Sequence, residues 1–209
     1  MIITETILTL FATSIVLALV PGPDNLFVLT QSALHGSKSG WYATLGFSTG
    51  LIFHTIAVSL GVAAIFQTSE LVFNLLKLVG AAYLLYLAWR FLQASNSQVV
   101  FKQLQKLNPW LLYRRGIIMN VMNPKVSLFF LALLPQFTHP DAGPMVLQMM
   151  TFGLVFIVAT LIVFGGLAEL AGAISPWLIR SHSAQRIIHR VAAVVFVVLA
   201  IKLLFAEPL

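Results

Sequence analysis

Val20-Pro21-Gly22-Pro23-Asp24-Asn25 interrupts an apolar run that extends from Ile7 to Ala33. Pro21 and Pro23 carry no amide hydrogen and each restricts the residue before it, so a helix entering this stretch must open. A second interruption, Asn120-Val121-Met122-Asn123-Pro124-Lys125, divides the run from Gly116 to Phe137. Opened backbone at such depth is tolerated only where protein or a water-filled cavity satisfies it. Asp24 and Asn25 fall at the start of a second half-helix. An ionisable residue inside an apolar run marks a functional site, while Asp at a helix start also serves simply as a cap. Lys125 follows Arg115 by ten residues, about 15 Å deeper at the helical rise. A lysine that deep needs a carboxylate, exposed carbonyls or an anionic ligand. Asp24 is the expected partner, either as part of a ligand site or as a fixed ion pair that locks the two broken helices together.

The rest of the chain explains why those charges stand out. Of 209 residues, 59% are hydrophobic and 9% charged, with a mean hydropathy of +0.96; soluble domains carry roughly 25% charged residues. Six apolar segments recur: Ile7 to Ala33, Trp41 to Phe66, Leu71 to Leu92, Gly116 to Phe137, Met145 to Ala173 and Ile187 to Phe205. Such runs suit helices across a ~30 Å hydrocarbon core. The first reads as a span rather than a cleaved signal, since the first basic residue is Lys38. The net charge of +6 is a topology signal rather than a nucleic-acid one. Lys38, Arg90, Lys102, Lys106, Arg114, Arg115, Arg180, Arg186 and Arg190 lie in or around the loops that follow odd-numbered spans. Loops one, three and five are therefore expected in the cytoplasm and both termini outside. With no cysteine, disulfides, thiolate metal sites and thiol nucleophiles are excluded.

The halves resemble each other. Pro23-Asp24 corresponds to Pro124-Lys125, and the runs that follow, Asn25-Leu-Phe-Val-Leu and Val126-Ser-Leu-Phe-Phe-Leu, are similar. Three spans per half place the second half upside down, and inverted repeats with broken helices point to a secondary transporter whose site lies at the repeat interface. The expected fold is an all-α integral membrane protein of six transmembrane helices, a 3+3 inverted repeat with helices 1 and 4 broken. It forms one transporter domain over residues 1–209, with repeat one about 1–92, a cytoplasmic loop 93–113 and repeat two about 114–209. Within the loop, Phe101, Leu104, Leu107 and Leu111 recur at helical spacing beside Lys102 and Lys106, the pattern of an interfacial amphipathic helix; a disordered basic loop is the other reading.

Pro21-Gly-Pro-Asp24, Gly36 with Lys38 and Gly40, Gly46-xxx-Gly50-xxx-His54, the run from Leu76 to Leu87, and Tyr113-Arg-Arg-Gly116 through Asn123-Pro-Lys125 to Leu134-Pro-Gln-Phe137 together resemble the LysE/RhtB family of amino-acid exporters over nearly the whole chain. The resemblance implies a bacterial inner-membrane protein that exports amino acids or close derivatives, driven by protons, with no cofactor. Ala88 and Ala192-Ala193 stand where the family commonly has glycine. Substrate contacts are expected from Gly22, Asp24, Asn25, Asn120, Asn123 and Lys125, with Pro21, Pro23 and Pro124 breaking the helices. Proton-coupling candidates are Asp24, Glu169 and His54; Glu169 falls near the cytoplasmic edge or, if its helix tilts, in the cavity. Gly46, Gly50 and His54 share a face, which also reads as close helix packing, within a monomer or in a homodimer. A metal-ion or other small-solute exporter is the nearer alternative, although Asp24 and Glu169 are its sole intraspan carboxylate ligands; a membrane enzyme or lipid scramblase is the more distant one.

Overall fold

The computed structural model describes residues 4–20, 22–66, 70–94, 108–180 and 182–205. Pro21 and most of the segment expected to form an amphipathic helix lie outside the described residues. The first apolar run is two helices, α1 (Thr4–Leu19) and α2 (Pro23–His35), whose axes meet at 64°. A sharp turn at Gly36, where φ is +89° and a side chain would be strained, leads into α3 (Ser37–Phe66), followed by α4 (Glu70–Ala94). The second half opens at Pro109, earlier than the expected boundary near 114, with α5 (Pro109–Val121). After a 48° bend comes α6 (Pro124–Leu128), then a π-helical turn, Phe129–Leu133, and a 3₁₀ turn, Leu134–Phe137, so this half-passage is irregular throughout. The chain finishes with α7 (Met145–Arg180) and α8 (His182–Leu204). Among the described residues, α3 and α7 are each long and apolar enough to cross a membrane, and four crossings result if each bent pair counts as one.

Contacts between glycines and their neighbours fix the directions of the helices. A Cβ on Gly46 would stand within 3.0 Å of the Gly116 Cα, and one on Gly50 would strike the Asn120 side chain, so α3 and α5 run parallel in register. Gly40 lies against Ala168, Gly165 against Trp41 and Gly153 against Thr55, which makes α7 antiparallel to α3. The 36–37, 108–109 and 180–182 junctions therefore share one end of the molecule. At the other end Thr6, near the start of α1, meets His139, whose backbone and neighbouring Gly143 carbonyl are tied to Gln148 at the start of α7.

The helices pair as α3 with α5 and α7, α4 with α8, α1 with α7, and α2 with both α3 and α7. In lipid the apolar effect does not hold helices together, so small residues that admit close packing matter most. Ala88, Ala192 and Ala193, at the positions that depart from the family pattern, are buried in the core that joins α4 and α8 to α1 and the irregular turns. A second core of Ala18, Val28, Ala43, Phe47, Val163, Phe164 and Ala168 joins α1, α2, α3 and α7. Leu8, Ile52, Phe53, Leu154 and Val194 are among the exposed apolar side chains, as the outer face of a membrane protein requires.

Candidate functional site

Each proline removes one helical donor and so leaves the carbonyl four residues earlier without its partner. For Pro21 that carbonyl is Leu17, for Pro23 it is Leu19, and for Pro124 it is Asn120. Side chains from elsewhere reach two of the three, and Asn120 O also accepts from Asn123 N at 2.9 Å. The Lys125 ammonium donates to Leu17 O at 3.4 Å and to Val20 O at 3.3 Å, a cation at the negative end of the α1 dipole. Asn120 O faces His54 Nε2 at 3.2 Å; with a carbonyl as partner, that nitrogen carries the proton. Asn25 reaches back across the break to donate to Ala18 O at 2.5 Å.

Asp24 opens the first turn of α2, and its hydrogen bond comes from Asn123, whose amide nitrogen donates to Oδ2 at 2.8 Å. The direct Asp24–Lys125 pair expected from the sequence is thus replaced by two indirect ties. Asn123 bridges to the carboxylate while Lys125 spans to the carbonyls of α1, and the ammonium acts on Asp24 through space. The physical reason is the supply of bare carbonyls at the break, which offer a nearby ammonium acceptors without desolvating a carboxylate further. Asn123 plays both sides, since its Oδ1 caps α6 by accepting from Lys125 N at 3.0 Å. The Asn120 carboxamide is within reach of the same carboxylate. Gly22, at the N-cap of α2, supplies no side-chain acceptor, so the first-turn amides of Asp24 and Asn25 have no cap. Its backbone is extended, with φ at −160°, and a Cβ there would sit 3.4 Å from Lys125 Nζ and 3.7 Å from Asn25 Oδ1.

The structure thus brings together Gly22, Asp24, Asn25, Asn120, Asn123 and Lys125, with His54 on the far side of Asn120. Glu169 is not among them. Its Oε1 accepts from Trp41 Nε1 at 2.6 Å, beside Gly40, which packs against Ser32 of α2, about 13 Å along α2 from the break at 1.5 Å per residue. Sequence reasoning did not single out the Leu17 and Val20 carbonyls. The signal for Leu17 was present, because a residue four before a proline always loses its helical partner.

A bent α1–α2 passage crossed by a second bent passage, with a buried carboxylate and an ammonium where they meet, defines a helical membrane protein built around a polar centre. The model of the LysE type translocator family matches residues 15–207, and the chain belongs to that family. It is 34% identical over 166 residues to a homoserine/homoserine lactone efflux protein of Salmonella typhimurium (strain LT2), covering 79% of this chain and 80% of that one. It is 34% identical over 134 residues to a leucine efflux protein of Salmonella choleraesuis (strain SC-B67), covering 62% and 63%. An uncharacterized membrane protein of Bacillus subtilis (strain 168) is 27% identical over 195 residues, covering 89% and 92%. No solved structure matches the chain.

Proposed function

We propose that this protein is a secondary transporter that exports amino acids or close derivatives from the bacterial cytoplasm in exchange for protons. The observation that carries the reading is the buried Asp24 carboxylate at the uncapped start of α2, faced by Asn123 and Lys125 from the second broken helix. A zwitterionic amino acid is complementary to that arrangement. Its ammonium meets Asp24. Its carboxylate meets the first-turn amides of α2, where the dipole and free N–H groups favour an anion, and Lys125. The Lys125 ammonium reaches the ligand carboxylate by leaving the Leu17 and Val20 carbonyls, to which it donates at 3.4 and 3.3 Å.

The relatives' names, efflux of homoserine and of leucine, favour an amino-acid cargo. The paired breaks at Pro23-Asp24 and Pro124-Lys125 favour six spans in two inverted halves, and in such transporters one half rocks against the other about a central site. A proton reaching Asp24 from outside cancels the charge that holds the ammonium and releases it. Glu169, bonded to Trp41 away from the cluster, suits this role less well. The end that gathers the 36–37, 108–109 and 180–182 junctions also carries exposed Lys38, Arg114, Arg115, Arg186 and Arg190, so it is the cytoplasmic end and both termini face outward. The test is counterflow of labelled amino acids, divalent cations and phospholipid in proteoliposomes of the purified protein. Saturable exchange of an amino acid is expected; exchange of a metal ion alone, or lipid scrambling alone, overturns the reading.

A further inference from the structure

Three buried side-chain atoms in the central cluster have no hydrogen-bond partner: Asp24 Oδ1, Asn25 Oδ1 and Asn120 Oδ1. Their residues are 2%, 7% and 2% exposed. All three are oxygens. Asn25 cannot be turned to offer nitrogen instead, because it presents its nitrogen to the Ala18 carbonyl, and the Asn120 carboxamide stands beside the Asp24 carboxylate with its oxygen against Gly50. An ionised carboxylate oxygen and two amide oxygens can only accept. The lysine in the cluster does not serve them, since its ammonium is committed to the Leu17 and Val20 carbonyls. The unmet demand of the cluster is therefore for a cationic donor with several N–H groups. A primary ammonium, with several donors and a positive charge, is the complement of unmet acceptors that carry one negative charge. The demand for an anion is smaller: two backbone amides at the start of α2, and a lysine that must first leave its carbonyls.

We propose that a free primary ammonium group is what this site recognises, through Asp24, Asn25 and Asn120, and that the substrate carboxylate is dispensable. This deepens the amino-acid reading above and rests on it. Amino-acid amides and methyl esters then occupy the site as the parent amino acids do, and N-acetyl amino acids do not. The three classes separate cleanly, because amidation or esterification removes the negative charge and acetylation removes the positive one.

The experiment is inhibition of counterflow in proteoliposomes, using labelled homoserine or leucine, whichever exchanges. Each is challenged with its unlabelled parent, its C-terminal amide, its methyl ester and its N-acetyl derivative, and protein-free liposomes correct for leak. The amide and ester are expected to inhibit within a few-fold of the parent, and the N-acetyl compound to be weaker by roughly 100-fold, the scale of lost charge-assisted hydrogen bonds. In Asn120→Ala, which removes one acceptor, the parent and its amide should lose apparent affinity by the same factor, at an unchanged amount of reconstituted protein. Inhibition by the N-acetyl compound equal to the parent overturns the proposal, and so does failure of the amide and ester while the parent inhibits; either result leaves the exporter reading standing. Absence of exchange for every amino acid overturns both.

Discussion

Gly22 occupies the space between the Lys125 ammonium and the Asn25 carboxamide, and it does so without any need for glycine's backbone freedom. A methyl group there makes ordinary van der Waals contacts at 3.4 to 4.0 Å. Gly22→Ala is therefore expected to fold and reconstitute like the wild type and yet to lose most of its exchange activity, because the methyl fills the path between the two halves of the site. Size-exclusion profiles together with counterflow check this; exchange at the wild-type level would mean that the ligand passes elsewhere. Much of the cluster was legible in the sequence because prolines have fixed consequences. Asp24, Asn25, Asn123 and Lys125 flank breaks that any helix must show at Pro23 and Pro124. The pairing was not legible. Which acceptor Lys125 chooses depends on how far α1 lies from α6, and Asn25 turns back to Ala18 only because the chain folds sharply between them.

Among the elements, α3 and α5 cross backbone against backbone. A Cβ on Gly46 would come within 2.2 Å of the Tyr113 carbonyl oxygen, and one on Gly116 within 2.5 Å of Ala43 O. Both obstacles are backbone and cannot rotate away. Gly46→Ala should thus destabilise the protein by about 1–3 kcal/mol, the usual cost of overpacking, seen as a lower melting temperature in detergent. Gly61→Ala, with open space around the added methyl, should not. The glycine spacing announced this crossing, and His54, one turn on, adds to it by donating to the Asn120 carbonyl, which also accepts from Asn123 N. By contrast, nothing in Phe129-Phe-Leu-Ala-Leu133 distinguishes a π turn from an α-helix; that choice is made by packing of Phe129 and Phe130 against Phe156. Glu169 was ambiguous for a similar reason, since a 36-residue helix does not reveal its depth until Trp41 marks it. Glu169→Gln should keep proton-linked exchange, measured as counterflow with and without a pH gradient. Loss of the gradient response with exchange intact would return Glu169 to the coupling mechanism.

For the whole molecule, the arrangement of helix ends makes topology testable in a chain that has no native cysteine. Lys38→Cys, beside the Gly36 turn, should react with an impermeant maleimide only in inside-out vesicles, and Asp141→Cys, in the turn before α7, only in right-side-out ones. The opposite pattern would invert the orientation inferred from the basic residues. Six apolar runs and their charge bias were readable from composition alone. That loops one, three and five share a side was likewise expected from the basic residues; which glycines on one helix meet which residues on another was not legible.

The account stands on Asp24 as the group that holds the ammonium of an amino acid where the two broken helices meet. Its most direct measurement is amino-acid counterflow by the wild type and by Asp24→Asn, reconstituted in equal amounts. The substitution keeps the size of the side chain and its ability to accept a hydrogen bond while removing the charge. Saturable exchange in the wild type that disappears in Asp24→Asn is the predicted result; equal exchange by the two proteins would contradict it.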